Sequence, residues 1–317
     1  MKLKSILAAV VAGVALASPL AAKAYEYNDG TYKWGFYTYE NADKVQVANL
    51  TSVCRVDGQK ISGAFAFPAT VSLTVTNELG YSKWDEATGK YTWVSTRSQK
   101  IETLTLPVEE ISWDGFSQSD PLITSVTIPE GVKFVSGFDS ACLTNVTAVS
   151  FPSTVRSIEE GCFCFCDKLK SVSVPEDAFI DGAFIGTPWA QSKGDFFIWN
   201  GNLIRYQGTA TEVVVPEGVT AINDLAFTPN YYAGFTKEQN EMFASAANIT
   251  SVLLPSSLEE IGYQAFSCCG KLAAINIPNG VYFIGDGAFE YTALTAIAFA
   301  AATNAGKKDV SQKSSEA

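Results

Sequence analysis

The segment from Ile249 to Phe266, ITSVLLPSSLEEIGYQAF, is one of several similar copies that recur along the sequence. Three further copies are ITSVTIPEGVKFVSGF (Ile123 to Phe138), VTAVSFPSTVRSIEEGCF (Val146 to Phe163) and LAAINIPNGVYFIGDGAF (Leu272 to Phe289). The prolines at Pro129, Pro152 and Pro175 are 23 residues apart, as are Pro255 and Pro278. A fixed period of this length predicts a solenoid, whose units bury their apolar faces against one another.

Each copy predicts two walls of a coil. Before the proline, apolar residues alternate with polar ones, as Val252 and Leu254 do, and this alternation predicts a short β-strand. The proline ends the strand because it has no N–H for the next ladder bond. Two apolar residues three apart, such as Leu258 and Ile261, then carry the chain back along the other wall. A phenylalanine fills each coil, and we expect burial at Phe163, Phe227, Phe266 and Phe289.

The outward side of the first wall is formed by residues two and four positions before each proline. At two before, they are Thr105, Thr127, Ser150, Ser173, Val214, Leu253 and Asn276; at four before, they are Thr103, Ser125, Ala148, Ser171, Glu212, Ser251 and Ala274. These side chains are short and almost uncharged, whereas a glycoside hydrolase needs two convergent carboxylates. The pattern indicates either a flat contact surface or merely soluble strand-forming residues.

The copies resemble the BspA-like leucine-rich repeats of bacterial surface proteins, whose pattern is roughly LxxIxIPxxVxxIGxxAFxxC. Ile249 to Cys269 matches almost position for position, and Leu272 to Phe289 matches as far as the phenylalanine. The resemblance implies a right-handed leucine-rich-repeat solenoid with a parallel β-sheet on one face, over residues 101–300. It also implies a non-catalytic protein that acts in surface adhesion or binds host, matrix or cell-surface proteins.

Three other segments lie outside the repeats. Residues 1–24 read as a secretory signal peptide, with Lys2 and Lys4, an apolar stretch too short to span a bilayer, and an Ala-Lys-Ala cleavage site. Residues 25–100 predict a small β-rich cap on the N-terminal end of the solenoid. Residues 301–317 are a polar C-terminal tail. The signal predicts an exported chain, located extracellularly, at the cell surface or in the periplasm.

Composition argues against several classes of function. The chain has 22 Lys and Arg, 33 Asp and Glu, and no histidine. A net charge of −11 repels phosphate backbones, so nucleic-acid binding is not expected. Without histidine the chain lacks the commonest proton-transfer group and the usual zinc ligand sets. We therefore expect no catalytic residues, no metal site and no cofactor, and we expect no membrane span in the mature chain.

Two insertions lengthen the repeats, and such irregular loops are able to carry distinctive contacts. The first, residues 186–209, contains Gly-Thr-Pro-Trp and an Asn-Gly hairpin signal, and the second spans residues 228–248. The candidate binding residues are the aromatic Tyr231, Tyr232 and Phe235 of the second insertion, with Trp199 and Tyr206 on the hairpin. The alternative is that both insertions fold back and shield the solenoid.

Glycan binding is the alternative function, because aromatic rings also stack on sugars. It would use the insertions or the N-terminal aromatics Tyr32, Trp34, Phe36, Tyr37 and Tyr39. The competing interpretation of the N-terminal aromatics is that they pack the cap. A protein partner is the leading expectation.

The seven cysteines are an odd number, so at least one has no partner within the chain. Cys142 and Cys166 lie 24 residues apart, about one coil, and neighbouring strands are close enough for a disulfide between them. Cys162, Cys164 and Cys166 lack the fourth ligand of a zinc site. The competing interpretation is that Cys166 and Cys269 are small buried residues inside the coil.

Overall fold

The computed structural model describes residues 25–85, 90–112, 122–137, 143–159, 161–229, 237, 241–296 and 298–299. These residues fall into two compact units. One contains residues 25–59 and 68–112, and the other contains residues 60–67 and the described residues from 122 onward. β-Strands dominate both units.

The described part of the N-terminal unit contains five strands. They are β1 (Tyr25–Asn28), β2 (Tyr32–Glu40), β3 (Gln46–Arg55), β5 (Thr70–Asp85) and β6 (Lys90–Ser112). β1, β2 and β3 pair antiparallel in sequence order, β6 joins β3 in parallel, and β5 and β6 form a long antiparallel hairpin. The segment is therefore β-rich, and its role as a solenoid cap stays a prediction.

The boundary between the units differs from the one placed at residue 100. Strand β4 (Ser62–Ala66) pairs in parallel with β7 (Leu122–Thr127) and belongs to the second unit. Residues 101–107, predicted to open the first repeat, instead pair with β5 as part of the long hairpin. The alternation of Ile101, Thr103 and Thr105 fits a hairpin strand as well as a repeat strand, because a period of two does not select the partner.

The second unit has two walls of parallel strands, whereas the sequence predicted a parallel sheet on the first wall only. The first wall contains β4, β7, β9 (Ala148–Ser150) and β11 (Ser171–Ser173), then β15 (Glu212–Val214), β17 (Ser251–Leu253), β19 (Ala274–Ile277) and β21 (Ala298–Phe299). The second wall contains β8 (Phe134–Ser136), β10 (Ser157–Ile158) and β12 (Phe179–Ile180), then β14 (Asn202–Tyr206), β16 (Ala221–Ile222), β18 (Glu260–Ile261) and β20 (Phe283–Ile284). The right-handed sense of the coil stays a prediction.

Aromatic rings stack along the interior between the walls. Phe227 and Phe266 have ring centroids 4.6 Å apart, and Phe266 and Phe289 are 5.5 Å apart. Phe163, Phe227 and Phe266 are fully buried, which confirms the predicted burial of these three side chains. Phe289 is only partly buried, so the prediction for that residue was wrong. Its ring has Phe266 on one side, and no ring of a further coil stacks on the other side in the described part of the chain.

The first insertion supplies an extra rung of the second wall. A short helix, α1 (Pro188–Gln191), begins at Thr187, whose Oγ1 accepts a hydrogen bond from the Ala190 N–H at 3.1 Å. The predicted hairpin follows: β13 (Phe196–Trp199) pairs antiparallel with β14 across Asn200 and Gly201, both at positive φ. Strand β14 then pairs in parallel with β16. The insertion is therefore an integral part of the solenoid.

Stacked turns join neighbouring coils beside the prolines. The carboxylate of Glu130 accepts hydrogen bonds from the N–H and Oγ of Ser153, at 3.1 and 3.2 Å. Glu217 and Ser256 repeat the arrangement, with both distances 3.1 Å. The carboxylates of Glu130 and Glu217 therefore hold neighbouring turns together through hydrogen bonds.

Candidate interaction surface

The hairpin aromatics lie largely in the interior. Tyr206 is 2 % exposed and stacks on Phe227 at 5.2 Å, so placing it on a binding surface was wrong. The physical reason is that β14 is a strand of the second wall, and the Tyr206 ring fills its coil as a phenylalanine ring fills the other coils. Trp199 is half-buried, and its indole N–H donates to the Ala178 carbonyl at 2.9 Å. It contacts Trp189 at 6.0 Å between ring centroids.

The aromatics of the second insertion, Tyr231, Tyr232 and Phe235, lie outside the described residues. Their role in binding stays a prediction. The described end of this insertion folds inward, because Phe243 is 3 % exposed and packs with Cys164 and Ile185. This part of the insertion shields the solenoid, as the alternative interpretation proposed.

A buried arginine joins the hairpin to the second insertion. Arg205 is 1 % exposed, and its two terminal nitrogens donate to the carbonyls of Leu225 and Thr228. Its guanidinium carbon lies 4.1 Å from the centre of the Phe243 ring. Burial of a charge is costly unless such groups compensate it. The arginine therefore has a structural role, which the sequence did not indicate because the residue sits in an irregular segment.

An apolar pair interrupts the polar outward side of the first wall. Val214 on β15 is 62 % exposed and Leu253 on β17 is 54 % exposed, and the two residues are direct neighbours in the strand register. Both residues occupy positions that the repeats predict to point outward. The signal was present, since they are the only large aliphatic side chains in that set.

The N-terminal aromatics pack mainly inside their own unit. Trp34 and Phe36 are at most 1 % exposed, and the indole N–H of Trp34 donates to the Asp29 carboxylate at 2.9 Å. Tyr37 on the same strand is 38 % exposed. Two of the strongest stacking candidates for a sugar are therefore inaccessible, which favours the packing interpretation for them.

The buried cysteines among the described residues do not have the properties of reactive thiols. Cys142 lies outside the described residues, so its disulfide with the buried Cys166 stays a prediction. Burial raises the pKa of the Cys269 thiol to about 12 and that of Cys162 well above its usual range. Protonated, buried thiols are poor nucleophiles. Across the described residues, His, Cys, Asp and Glu side chains nowhere gather in a group of three able to hold a metal ion.

An open cleft of about 250 Å³ lies beside the first insertion. Its lining includes Gln191, Asp195, Gln207 and Met242. Gln207 already donates from Nε2 to the carbonyls of Ala190 and Gly194, both at 2.8 Å, so its amide is committed to the fold.

None of the helices in the described residues has the length and apolar character needed to cross a membrane.

Solved structures similar to this chain include bacterial leucine-rich-repeat proteins. A leucine-rich cell surface protein from Faecalibacterium prausnitzii is 18% identical, with 89% of this chain and 96% of that chain covered and a TM-score of 0.27. A leucine-rich repeat protein from Bacteroides ovatus is 18% identical, with coverage of 85% and 58% and a TM-score of 0.36. The pneumococcal vaccine antigen PcpA is 14% identical, with coverage of 87% and 81% and a TM-score of 0.34. Curated proteins give no significant match.

The repeats themselves identify the family. Residues 89–187 and 205–314 match the BspA type leucine rich repeat region in six copies. These two ranges cover well over half of the chain, and they contain most strands of both walls of the solenoid. The chain therefore belongs to the BspA-type leucine-rich-repeat family.

Proposed function

We propose that the mature chain is a non-catalytic, exported interaction protein that binds another protein through the first wall, around Val214 and Leu253. The observation that carries the proposal is the exposure of these two adjacent aliphatic side chains on an otherwise short-chained sheet face. Exposed apolar groups rimmed by polar ones are typical of protein contacts. Residues 1–24 serve as the export signal, and the partner is a host, matrix or cell-surface protein.

The surroundings of this pair suit binding better than catalysis. Asn276 lies next to Leu253 in the ladder and holds the backbone of Leu254, accepting from its N–H at 2.7 Å and donating to its carbonyl at 3.1 Å. Glu212 is the one carboxylate among the predicted outward positions on the first wall. A rigid, nearly neutral sheet face offers shape and apolar contact, but no convergent acid and base.

The second insertion is proposed as a further contact, through Tyr231, Tyr232 and Phe235. Tyrosine and phenylalanine are enriched in the centres of protein interfaces. Because Phe243 anchors the end of the insertion in the core, substitutions of the three aromatic residues leave that anchor intact. Deleting the whole insertion would remove it.

The experiment measures binding of the fluorescently labelled mature chain to cultured epithelial cells by flow cytometry. Cells are treated beforehand with a protease or with glycosidases, which separates a protein receptor from a glycan. We expect protease treatment to abolish binding and Val214→Ser/Leu253→Ser to weaken it about tenfold or more. The matched control is Val45→Ser/Val56→Ser, which removes two exposed valines from the N-terminal unit.

The outcomes separate the alternatives. Loss of binding after glycosidase treatment alone would support a glycan-binding module instead. Unchanged binding by Val214→Ser/Leu253→Ser would contradict the role of the first wall. If only Tyr231→Ser/Tyr232→Ser/Phe235→Ser then loses binding, the insertion is the contact surface.

A further inference from the structure

One column of the second wall changes its charge along the solenoid. In the first coils it holds Lys133 and Arg156, and the Arg156 N–H donates to the Lys133 carbonyl at 2.8 Å. In the last coils it holds Glu259 and Tyr282, whose backbones are joined in the same way at 3.0 Å. Each of the four residues stands two positions before the apolar residue that the wall turns towards the interior. The repeat therefore keeps the backbone contact but replaces two cations by an acid and an aromatic ring.

Three exposed aromatic rings lie on the last coils of the second wall. Tyr263, Tyr282 and Phe283 are 48 %, 51 % and 51 % exposed. Phe283 pairs with Glu260 in the strand register, and the Tyr282 hydroxyl donates to the carboxylate of the same glutamate. Gly285 lies so close to the backbone of Tyr263 that a Cβ at Gly285 would be 2.5 Å from the Tyr263 nitrogen. The three rings are therefore carried by backbone segments that are in direct contact.

Carboxylates flank these rings on neighbouring coils. Asp224, Tyr263 and Asp286 occupy the same position of three successive coils, each two residues after the interior isoleucine. The Asp224 Oδ1 accepts the Tyr263 N–H at 2.7 Å, and the neighbouring Gln264 N–H donates to the Asp286 carbonyl at 3.1 Å. Asp224, Asp286 and Glu259 are all exposed. Tyr263 therefore has an exposed acid on the coil before it and another on the coil after it.

The segments that carry these side chains contain no Lys or Arg. They are residues 217–227, 256–268 and 279–291, and each segment has two carboxylates. The phenol of Tyr282 stays neutral, because its hydrogen bond to Glu260 raises the pKa of Tyr282 to about 12. The charge of this part of the wall therefore comes from its carboxylates and is negative.

These side chains form an aromatic–acidic face, which consists of Tyr263, Tyr282, Phe283, Asp224, Glu259 and Asp286. We propose that the aromatic–acidic face binds an arginine-rich segment of a partner protein. A guanidinium stacks on an aromatic ring with its flat side and pairs with a carboxylate through its N–H groups. The negative charge attracts such a segment over a distance and repels an anionic one. The face is separate from the Val214 and Leu253 pair, which lies on the first wall.

The basic column of a second copy of this chain is a weaker candidate for the same face. Arg156 already donates from one terminal nitrogen to the carbonyls of Ser153 and Val155. The same nitrogen lies 3.9 Å from the Asp177 carboxylate, so the guanidinium has its own acid. Two copies that each carry a net charge of −11 also repel one another. Charge complementarity therefore favours a basic segment of a different protein.

The test is a titration of the mature chain with fluorescently labelled nona-arginine, followed by anisotropy. We expect nona-arginine to bind more tightly than nona-lysine, because an ammonium is a hydrated point charge that does not stack on rings. Glu259→Gln/Asp286→Asn should weaken nona-arginine binding about three- to tenfold, since it removes two charges and keeps the side-chain size. Tyr263→Ser/Phe283→Ser should abolish the preference for arginine over lysine.

Matched variants control for charge and for aromatic content. Glu176→Gln/Asp177→Asn removes two exposed carboxylates from an earlier coil and changes the net charge equally. Tyr37→Ser removes an exposed ring from the N-terminal unit. We expect both variants, and Val214→Ser/Leu253→Ser on the first wall, to bind nona-arginine as the wild type does. Circular dichroism of every variant reports whether the β-structure is retained.

Three results would overturn the proposal. Equal weakening by Glu259→Gln/Asp286→Asn and by the charge control would show that the peptide responds only to the net charge of the chain. An arginine preference that is absent, or that survives Tyr263→Ser/Phe283→Ser, would show that the rings take no part. Self-association of the mature chain in sedimentation velocity, abolished by Glu259→Gln/Asp286→Asn, would assign the face to a second copy. The role of the first wall is measured independently, by cell binding.

Discussion

At the scale of single residues, the interior ring stack carries much of the stability of the coils. Phe266 lies between Phe227 and Phe289 with nearly parallel rings, at interplanar angles of 16° and 11°. Each ring fills one coil and also contacts the rings of its neighbours. Loss of the Phe266 ring therefore removes contacts with the coils on both sides.

We predict that Phe266→Ala lowers the free energy of unfolding by about 3–5 kcal/mol, because it leaves a cavity in the middle of the stack. Phe289→Ala is the matched control: that ring is only partly buried and has a ring on one side alone, so its loss should cost less. Urea denaturation of both variants measures the two values. Equal costs would contradict the idea that the stack is open at Phe289.

Residue-level patterns predicted the regular plugs and failed where the period is broken. Phe163, Phe227 and Phe266 follow their prolines at a fixed distance, so one periodic rule places all three. Tyr206 lies within the first insertion, and its distance from the nearest proline carries no information about the coil that it enters. Its burial depends on β14 pairing with β16, which is a contact made outside the repeat pattern.

At the scale of elements, the two insertions support each other. The hairpin strand β14 presents Arg205, and the second insertion supplies the Phe243 ring that covers it. The guanidinium fork reaches two carbonyls at once, those of Leu225 and Thr228. A lysine has no planar fork, so it would not reproduce both hydrogen bonds in this geometry.

Arg205→Lys should therefore lower the free energy of unfolding by about 1–3 kcal/mol and loosen the segment that contains Phe243. The loosening is measured by limited proteolysis, with cleavage expected first near residues 241–248. Arg156→Lys is the matched control, because Arg156 also donates to two backbone carbonyls but is exposed. Equal protease resistance of the two variants would show that the buried arginine does not hold the insertion.

At the scale of the whole chain, the sequence predicted the two-walled solenoid and missed one of its rungs. The repeats place β7, β9, β17 and β19 on the first wall because their apolar positions recur in register. Strand β4 comes from residues 62–66, far from any copy of the motif, and still pairs with β7. Only the apolar alternation of Phe65 and Phe67 marks it as a strand, and alternation does not specify which neighbour it joins.

The first insertion also divides the ladders of the second unit. In the described structure the first wall is one sheet up to β11 and a separate sheet from β15, and the second wall is likewise interrupted between β12 and β14. Trp189 spans this interruption: it is 8 % exposed, and its ring contacts Phe184 at 5.0 Å and Phe197 at 5.7 Å. The backbone N–H of Trp189 also donates to the Leu169 carbonyl at 2.9 Å. In a repeat protein, cooperativity passes only between neighbouring units, so this residue couples the two halves.

Trp189→Ala should consequently split the urea unfolding of the solenoid into two transitions. The reason is that the substitution weakens the coupling between the two halves more than it lowers the stability of either half. Hydrogen exchange at Phe163 and Phe266, whose amides donate to Ala183 and Ala288, follows the two halves separately. We expect their opening free energies to coincide in the wild type and to diverge in the variant. Phe151→Ala, which removes a ring that packs on Phe163 and Phe184 within the first half, controls for general loss of aromatic packing. A single transition at lower urea concentration with an unchanged slope would mean that the halves are coupled by other contacts.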